Sequence, residues 1–280
     1  MTDDGPAAPA ALEEAGPGLR VAPAFADRLT AAGLDSADAL LAPDLGDTLR
    51  SLPDRDNVRL DLNAGGAPWR LFLKRHRGGK AGRPTPAADE AAVAVRLAAA
   101  GVPTLTTVAV AERTEPDGTV SSAFVSEDLT GYRQLDELIP DRFAGASPGD
   151  RSLDALVTEL GRVAQRFHRL GLRHRDFYTC HFFGRERETT DDEGGRWSVR
   201  LIDLQRVFEP GRLTARRYLA KDLGQLLYSR PPAVGCRGTG VFLRAYLGGP
   251  AVAPEKRTLR AAVRRAARLR AKHGPYRPGW

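Results

Sequence analysis

Apolar and polar positions alternate with period two at Val58, Leu60 and Leu62. They alternate again through Trp69-Arg70-Leu71-Phe72-Leu73-Lys74, with Gly65-Gly66 between the runs. Such runs about a glycine pair predict a β-hairpin ending on a lysine, with Phe72 and Lys74 on one strand face and Leu71 and Leu73 on the other. Upstream, Phe25, Leu29, Leu34, Ala37, Leu40 and Leu41 predict two short helices broken at Gly33, with Asp35 or Ser36 available as a cap. Residues 1 to 20 are rich in Ala, Pro, Gly and Glu and carry few large apolar side chains, so a disordered tail is expected there, with the folded part starting near Pro23.

The period then lengthens. Asp89 to Ala100 is alanine-rich and predicts a helix that Gly101-Val102-Pro103 stops, followed by strands at 106–112 and 122–126. Leu153, Leu156, Leu160, Val163, Ala164 and Phe167 recur at three- and four-residue spacing, the mark of a long amphipathic helix that ends at Gly171 and delivers the chain to His174. A short strand at 181–184, a polar hairpin tip at 186–196, a strand at 199–204 and helices to the end complete the order. A strand-rich first half before a helical second half predicts an α+β fold.

Composition narrows the class. The 280 residues are 42% hydrophobic and 28% charged, and no apolar run approaches twenty residues, so no membrane-spanning helix is expected. Cys180 and Cys236 are the only cysteines, too few for a disulfide framework, and the acidic, Ala/Pro-rich start does not read as a signal peptide; a cytoplasmic protein is expected. The net charge of +7 is local. Eight basic residues against one acid lie between Glu255 and Lys272, enough to account for all of it. A basic tail on a neutral body predicts contact with an anionic surface rather than a nucleic-acid groove.

Candidate chemistry sits in two segments, His174-Arg175-Asp176-Phe177-Tyr178-Thr179-Cys180-His181 and Leu201-Ile202-Asp203-Leu204-Gln205-Arg206. Phosphoryl transfer needs one carboxylate to orient or deprotonate a hydroxyl, another to hold magnesium against a triphosphate, and a lysine to neutralise charge. Asp176, Asp203 and Lys74 supply those types in the chain order of kinases: strand lysine, helix acid, His-Arg-Asp, then an apolar-apolar-Asp strand end.

Leu172-Arg173-His174-Arg175-Asp176-Phe177-Tyr178 with His181-Phe182-Phe183, and Leu201 to Arg206, resemble the lipopolysaccharide heptose and Kdo kinase family of the protein-kinase-like superfamily. The resemblance extends from about Phe25 to Leu247, and Gly101-Val102-Pro103-Thr104, Lys221-Asp222-Leu223 and Tyr228-Ser229 share in it. It implies a bilobal fold: a tail at 1–20, a small antiparallel-sheet lobe with preceding helices at 21–130, a mainly helical lobe at 131–254, and a basic helix and tail at 255–280. It implies ATP and Mg2+ as cofactors, with Lys74 on the α/β-phosphates, Glu90 paired with Lys74, Asp176 catalytic and Asp203 on magnesium. Ser126-Glu127-Asp128-Leu129 would be the adenine hinge, Asp222 would accept hydrogen bonds beneath the catalytic loop, and Arg175 would brace that loop. Lys74, Asp176 and Asp203 would then serve one cleft.

The chain departs from the general kinase pattern at several points. Gly46 to Asn57, where a glycine-rich loop belongs, contains Arg50-Ser51-Leu52-Pro53-Asp54-Arg55, so Arg50 and Arg55 would offer side chains where backbone amides usually cradle phosphate. His181 occupies the place of a magnesium-binding asparagine and is a metal candidate, although imidazole suits a hard cation poorly. Gln205 follows the metal aspartate in place of glycine, and Phe72 sits where a small residue usually faces adenine. Only nineteen residues take the chain from Asp203 to Asp222, little room for a peptide-docking activation segment, which favours a small hydroxyl acceptor.

Other readings are plainer. His168 and His174 are read as packing or loop-bracing residues, His76 as solvent-facing and Cys180 as packing. Arg257, Arg260, Arg264 and Arg268 share a face of a solvated or domain-covering helix, with anionic lipid or glycolipid as the further reading. The expectation is a kinase acting on a sugar hydroxyl of the lipopolysaccharide inner core or a related glycan, peripheral at the inner membrane. A protein or small-metabolite kinase, or an inactive pseudokinase scaffold, are the alternatives.

Overall fold

A computed structural model describes residues 11–147, 149–187, 197–249 and 252–277. The chain divides into two compact units: residues 1–100 with 104–130, and 101–103 with 131–280.

The first unit is an antiparallel sheet with helices. Its strands are β1 (Glu13–Gly16), β2 (Leu19–Val21), β3 (Asp47–Ser51), β4 (Arg55–Ala64), β5 (Ala67–Lys80), β6 (Thr107–Thr114) and β7 (Thr119–Glu127), in the spatial order β1-β2-β6-β7-β5-β4-β3. The hairpin predicted from the alternation is β4–β5, turning at Gly65-Gly66, both with positive φ, and pairing Leu60 with Leu71 and Asn57 with Lys74. Val58, Leu60, Leu71 and Leu73 enter a core shared with Leu29 of α1 (Ala26–Ala31) and Leu40 and Leu41 of α2 (Ala37–Leu41), whose N-cap Ser36 accepts a hydrogen bond from the Ala39 amide. Helix α3 (Pro86–Ala99) starts at Thr85, which caps the Ala88 amide, and buries Ala87, Glu90, Ala91, Ala94 and Leu97.

Two expectations are corrected here. The disordered tail does not run to residue 20: β1 and β2 edge the sheet, Leu19 and Val21 are buried, and Val21 pairs with Ala109 of β6. A short strand orders this poor composition because β6 supplies the ladder. Residues 1–10 lie outside the described residues. His76 does not face solvent; it is only 4% exposed, because β5 runs on to Lys80 and His76 lies between Arg55 of β4 and Ser122 of β7. The neighbouring Arg75 is buried too and donates to the carbonyls of Ala42 and Leu45.

The second unit is mainly helical, with β8 (Arg133–Gln134), α4 (Leu135–Arg142), α5 (Arg151–Arg169), β9 (Phe182–Glu186), β10 (Trp197–Leu201), α6 (Ala215–Ser229), α7 (Gly235–Leu247) and α8 (Ala253–His273). Asp150 caps α5, and the predicted apolar stripe from Leu153 to Phe167 is buried. The three short strands order as β10-β9-β8. Of the hairpin tip expected at 186–196, Glu186 is the last residue of β9, and 188–196 lie outside the described residues. Strand β10 stops at Leu201, short of the expected 204, because Asp203 takes a left-handed conformation (φ 59°, ψ 61°) that no strand continues. Helix α8 is a covering helix as well as a basic one: Thr258, Ala262 and Ala266 are buried, and a Cβ on Gly224 of α6 would lie 2.9 Å from the Arg265 Cβ.

Candidate active site

In the first unit, Lys74 stands on the face of β5 opposite the core residues Leu71 and Leu73, the same face as half-buried Phe72. Its Nζ donates to Glu90 Oε1 at 2.7 Å, and Glu90 is 0% exposed. Of the two acids at the start of α3, Glu90 is therefore the partner of the lysine; Asp89 is a first-turn acid. A buried carboxylate beside ammonium fixes the lysine's direction while leaving part of it accessible. Arg50, at the outer end of β3, is exposed, and β3 and β4 join through a turn at 52–54 that contains no glycine. Glu127 ends β7 with its carboxylate accepting from Trp69 Nε1 at 3.1 Å, so its side chain is committed; Asp128 donates its amide to the Arg70 carbonyl, and half-buried Leu129 follows.

In the second unit, the turn after α5 is held from beneath by α6. Asp222, Gln225 and Ser229 lie along one buried helix face. Asp222 accepts the His174 amide at 2.8 Å on one oxygen and the Arg175 amide at 3.0 Å on the other. Gln225 accepts the Phe177 amide at 3.3 Å and Ser229 the Thr179 amide at 2.9 Å. Four loop amides thus find partners, which a buried loop requires. Lys221 donates to the Arg175 carbonyl. The cradle lets Arg175 keep a positive φ of 71°, a strained state for a residue with a Cβ. Its guanidinium lies over the Phe208 ring, 5.5 Å from the centroid.

Asp176 emerges from this loop, and Arg206 Nη1 donates to its Oδ2 at 2.7 Å. His181 Nδ1 donates to the Asp176 carbonyl at 2.6 Å, and its Nε2 lies 3.4 Å from Asp203 Oδ2, so one imidazole spans the two aspartate segments. Burial alone would pull the His181 pKa down, but the hydrogen bond and charge of Cys180, the Asp203 carboxylate and the Asp176 carbonyl raise it to about 9. With Nδ1 committed to the Asp176 carbonyl, Nε2 is the ring atom that faces the Asp203 carboxylate.

His174 is fully buried; burial presses its pKa to about 4, and its neutral Nε2–H donates to the Ile202 carbonyl at 2.9 Å. His168 is also held neutral by burial, with its Nδ1 accepting from the Tyr246 hydroxyl at 3.0 Å and its Nε2 facing Asp222 at 3.4 Å. Burial opposes ionisation of Asp222, yet the hydrogen bond from His168 and the loop amides hold its carboxyl below the usual range. Both histidines brace the loop, and Cys180 is buried within it.

The donor set suits magnesium in the way phosphotransferases use it. Among the described residues no group of three His, Cys, Asp or Glu side chains converges on a cation, and Asp203, 35% exposed, offers a carboxylate of the kind that binds this ion jointly with phosphate oxygens.

The roles of Arg206, Gln225 and the His181 bridge were not drawn from sequence. A signal existed for Gln225: Asp222, Gln225 and Ser229 fall at helical spacing on a face otherwise apolar. None existed for Arg206, one arginine among many.

A sheet-bound lysine paired with a helix acid, and a helical unit that presents a His-Arg-Asp loop and a strand-end aspartate, define a phosphotransferase of protein-kinase-like fold. Comparison with known proteins agrees. The chain is 31% identical over 217 residues to the lipopolysaccharide core heptose(I) kinase WaaP of Pseudomonas aeruginosa, covering 73% of this chain and 78% of that one. It is 28% identical over 223 residues to the Escherichia coli K12 enzyme of the same name, covering 73% and 79%. A solved structure of WaaP in complex with acyl carrier protein superposes with a TM-score of 0.67 at 27% identity, over 91% of this chain and 97% of that one. The model of the lipopolysaccharide kinase (Kdo/WaaP) family matches residues 56–246, and the chain belongs to that family.

Proposed function

We propose that this protein transfers the γ-phosphate of ATP, with magnesium, to a sugar hydroxyl of the lipopolysaccharide inner core, a heptose as in the named relatives, at the cytoplasmic face of the inner membrane. The observation that carries the sugar is the cavity of about 270 Å³ onto which Asp176 opens, lined also by Tyr178, Tyr228 and Tyr276. Tyr178 and Tyr276 stack at 6.2 Å, and Tyr228 meets Tyr276 edge-on at 5.8 Å. Aromatic walls beside a carboxylate suit a sugar ring, whose C–H faces pack on the rings while a hydroxyl reaches the acid.

In this reading Asp176 accepts the proton of the attacking hydroxyl, oriented by Arg206 through Oδ2. Lys74, steadied by Glu90, meets the phosphates, and Arg50 adds charge where other kinases use glycine amides. Glu127 and Leu129 flank the adenine. Asp203 would hold the magnesium, which when bound neutralises phosphate charge, with His181 fixing the orientation of that carboxylate. Among the described residues no helix is long and apolar enough to cross a membrane, which accords with a peripheral enzyme.

The test combines two readouts. Incubation with ATP, magnesium and inner-core glycolipid should give phosphorylated glycolipid, while casein-like peptides and free small metabolites give none. Asp176→Ala should lower turnover about 10²- to 10⁴-fold and leave the ATP–magnesium thermal shift in place. Asp203→Ala should lose the shift. A wild type that ATP and magnesium do not stabilise would instead be the scaffold that half-buried Phe72 and the glycine-free turn at 52–54 would favour.

A further inference from the structure

Helices α6 and α8 enclose a groove in the second unit that the proposed chemistry does not use. It is lined by Arg216, Arg217 and Lys221 from α6, and by Arg264, Arg265 and Arg268 from α8, with Leu213 at its mouth; none of its lining residues is acidic. Gly224 is what brings the arginines together, since any Cβ there would push Arg265 and the Ala262 carbonyl away and part the two helices.

The groove is unlike an ordinary solvated helix face, where charges of both signs are interleaved. Arg217 and Lys221 are four residues apart on α6, as are Arg264 and Arg268 on α8, and like charges at this spacing repel. Among the described residues Arg216, Arg217, Arg264 and Arg268 have no acidic or hydrogen-bonded partner. Nε of Arg265 is buried without an acceptor. A bound anion would neutralise this concentration of charge.

The groove is also continuous with the catalytic loop. Lys221 donates to the Arg175 carbonyl and lies within electrostatic reach of Asp176 and Arg265. Beyond the arginines, Leu269 and His273 of α8 line the tyrosine-walled cavity of Asp176. Leu213, at 100% exposure, adds an apolar contact beside the cations, a pairing that favours an amphiphile over a free ion.

We infer that this groove binds the anionic group, phosphate or carboxylate, of a lipid-borne acceptor, and so sets which acceptors reach Asp176. The inference rests on the reading of Asp176 as the acceptor-side group. It predicts an effect on acceptor affinity and none on nucleotide.

The experiment compares wild type with Arg264→Glu/Arg268→Glu, both sites being exposed on α8. Acceptor KM for inner-core glycolipid should rise about tenfold or more, with kcat at saturating acceptor and the ATP–magnesium thermal shift retained. The wild-type KM should climb with added salt and the variant's should not. Glycolipid stripped of its phosphates and carboxylates should bind both proteins alike. An unchanged KM in the variant overturns the inference. So does equal binding of wild type to anionic phospholipid vesicles without glycolipid, which would make the groove a general headgroup site. Loss of acyl carrier protein binding with KM unchanged would make it a protein-docking face and overturn it also. If wild type shows neither nucleotide shift nor turnover, the kinase reading fails by itself; direct glycolipid binding that the double variant loses would still support the groove.

Discussion

Arg206 donates to Asp176 across 2.7 Å, tying the third residue after the strand-end aspartate to the carboxylate of the His-Arg-Asp loop. Because Arg206 is half exposed, the pair contributes about 0–1 kcal/mol to stability. Its value is directional. Arg206→Ala should leave the melting temperature within about 3 °C of wild type and lower kcat about tenfold by freeing the carboxylate to rotate. Arg206→Lys should recover part of the rate. Steady-state kinetics beside calorimetry decide it, and a fall in stability with kcat intact would make the contact structural.

The Lys74–Glu90 pair behaves oppositely. Glu90 has no exposure, so Lys74→Ala strands a buried carboxylate, at a cost of about 3–5 kcal/mol. The double variant Lys74→Ala/Glu90→Ala should unfold at a higher denaturant concentration than Lys74→Ala alone. A double-mutant cycle in urea measures this, and additive single effects would contradict it. Activity losses at Lys74 must therefore be read with the fold's stability in view.

Asp222 uses both oxygens on loop amides, whereas asparagine offers one acceptor. Asp222→Asn should cost about 1–3 kcal/mol, the penalty of one unsatisfied amide. It should also lower kcat, although residue 222 touches no reacting atom. Amide exchange at His174 and Arg175 should quicken. Unchanged exchange would mean that the loop holds its shape without the helix.

Burial lowers the His76 pKa to about 4, with the charges of Lys74 and Arg55 acting in the same direction. As pH falls through 6.5 the unfolded chain binds a proton that the folded chain refuses. This contribution is therefore complete above pH 6.5 and is lost progressively between 6.5 and 4. At pH 5 the loss from His76 should be about 2 kcal/mol. His174, also pressed to about 4 by burial, adds a loss of the same sign over the same range. His76→Leu should flatten part of the slope in urea-unfolding free energy from about pH 7.5 to 5, with the buried His174 and His168 carrying the same sign. A slope identical to wild type would place His76 in contact with water.

The β4–β5 hairpin and α5 were legible because period-two and period-3.6 patterns are direct images of a half-buried strand and helix. The three groups of the proposed chemistry stood out for a different reason: Lys74 follows the strong alternation of β5, and Asp176 and Asp203 lie in the segments that follow α5 and β10. What escaped was set by tertiary partners. Strand β2 is ordered only because β6 lies alongside it, and His76 is buried only because β5 is longer than its apolar alternation. Gln225 shows the middle case, a polar residue on an apolar face whose acceptor role becomes visible once the loop it serves is known.

Arg175 and Asp203 are the two residues other than glycine with positive φ among the described residues, and they lie in the two segments proposed to perform the reaction. Each side chain there sits on a backbone that glycine or asparagine would tolerate more readily. Selection for heat resistance would therefore enrich those replacements, and at residue 203 Asp203→Asn would deliver a sturdier protein with its proposed magnesium carboxylate removed. A screen for thermostable variants would rediscover the working loops as the places where gains in melting temperature accompany silence in the assay.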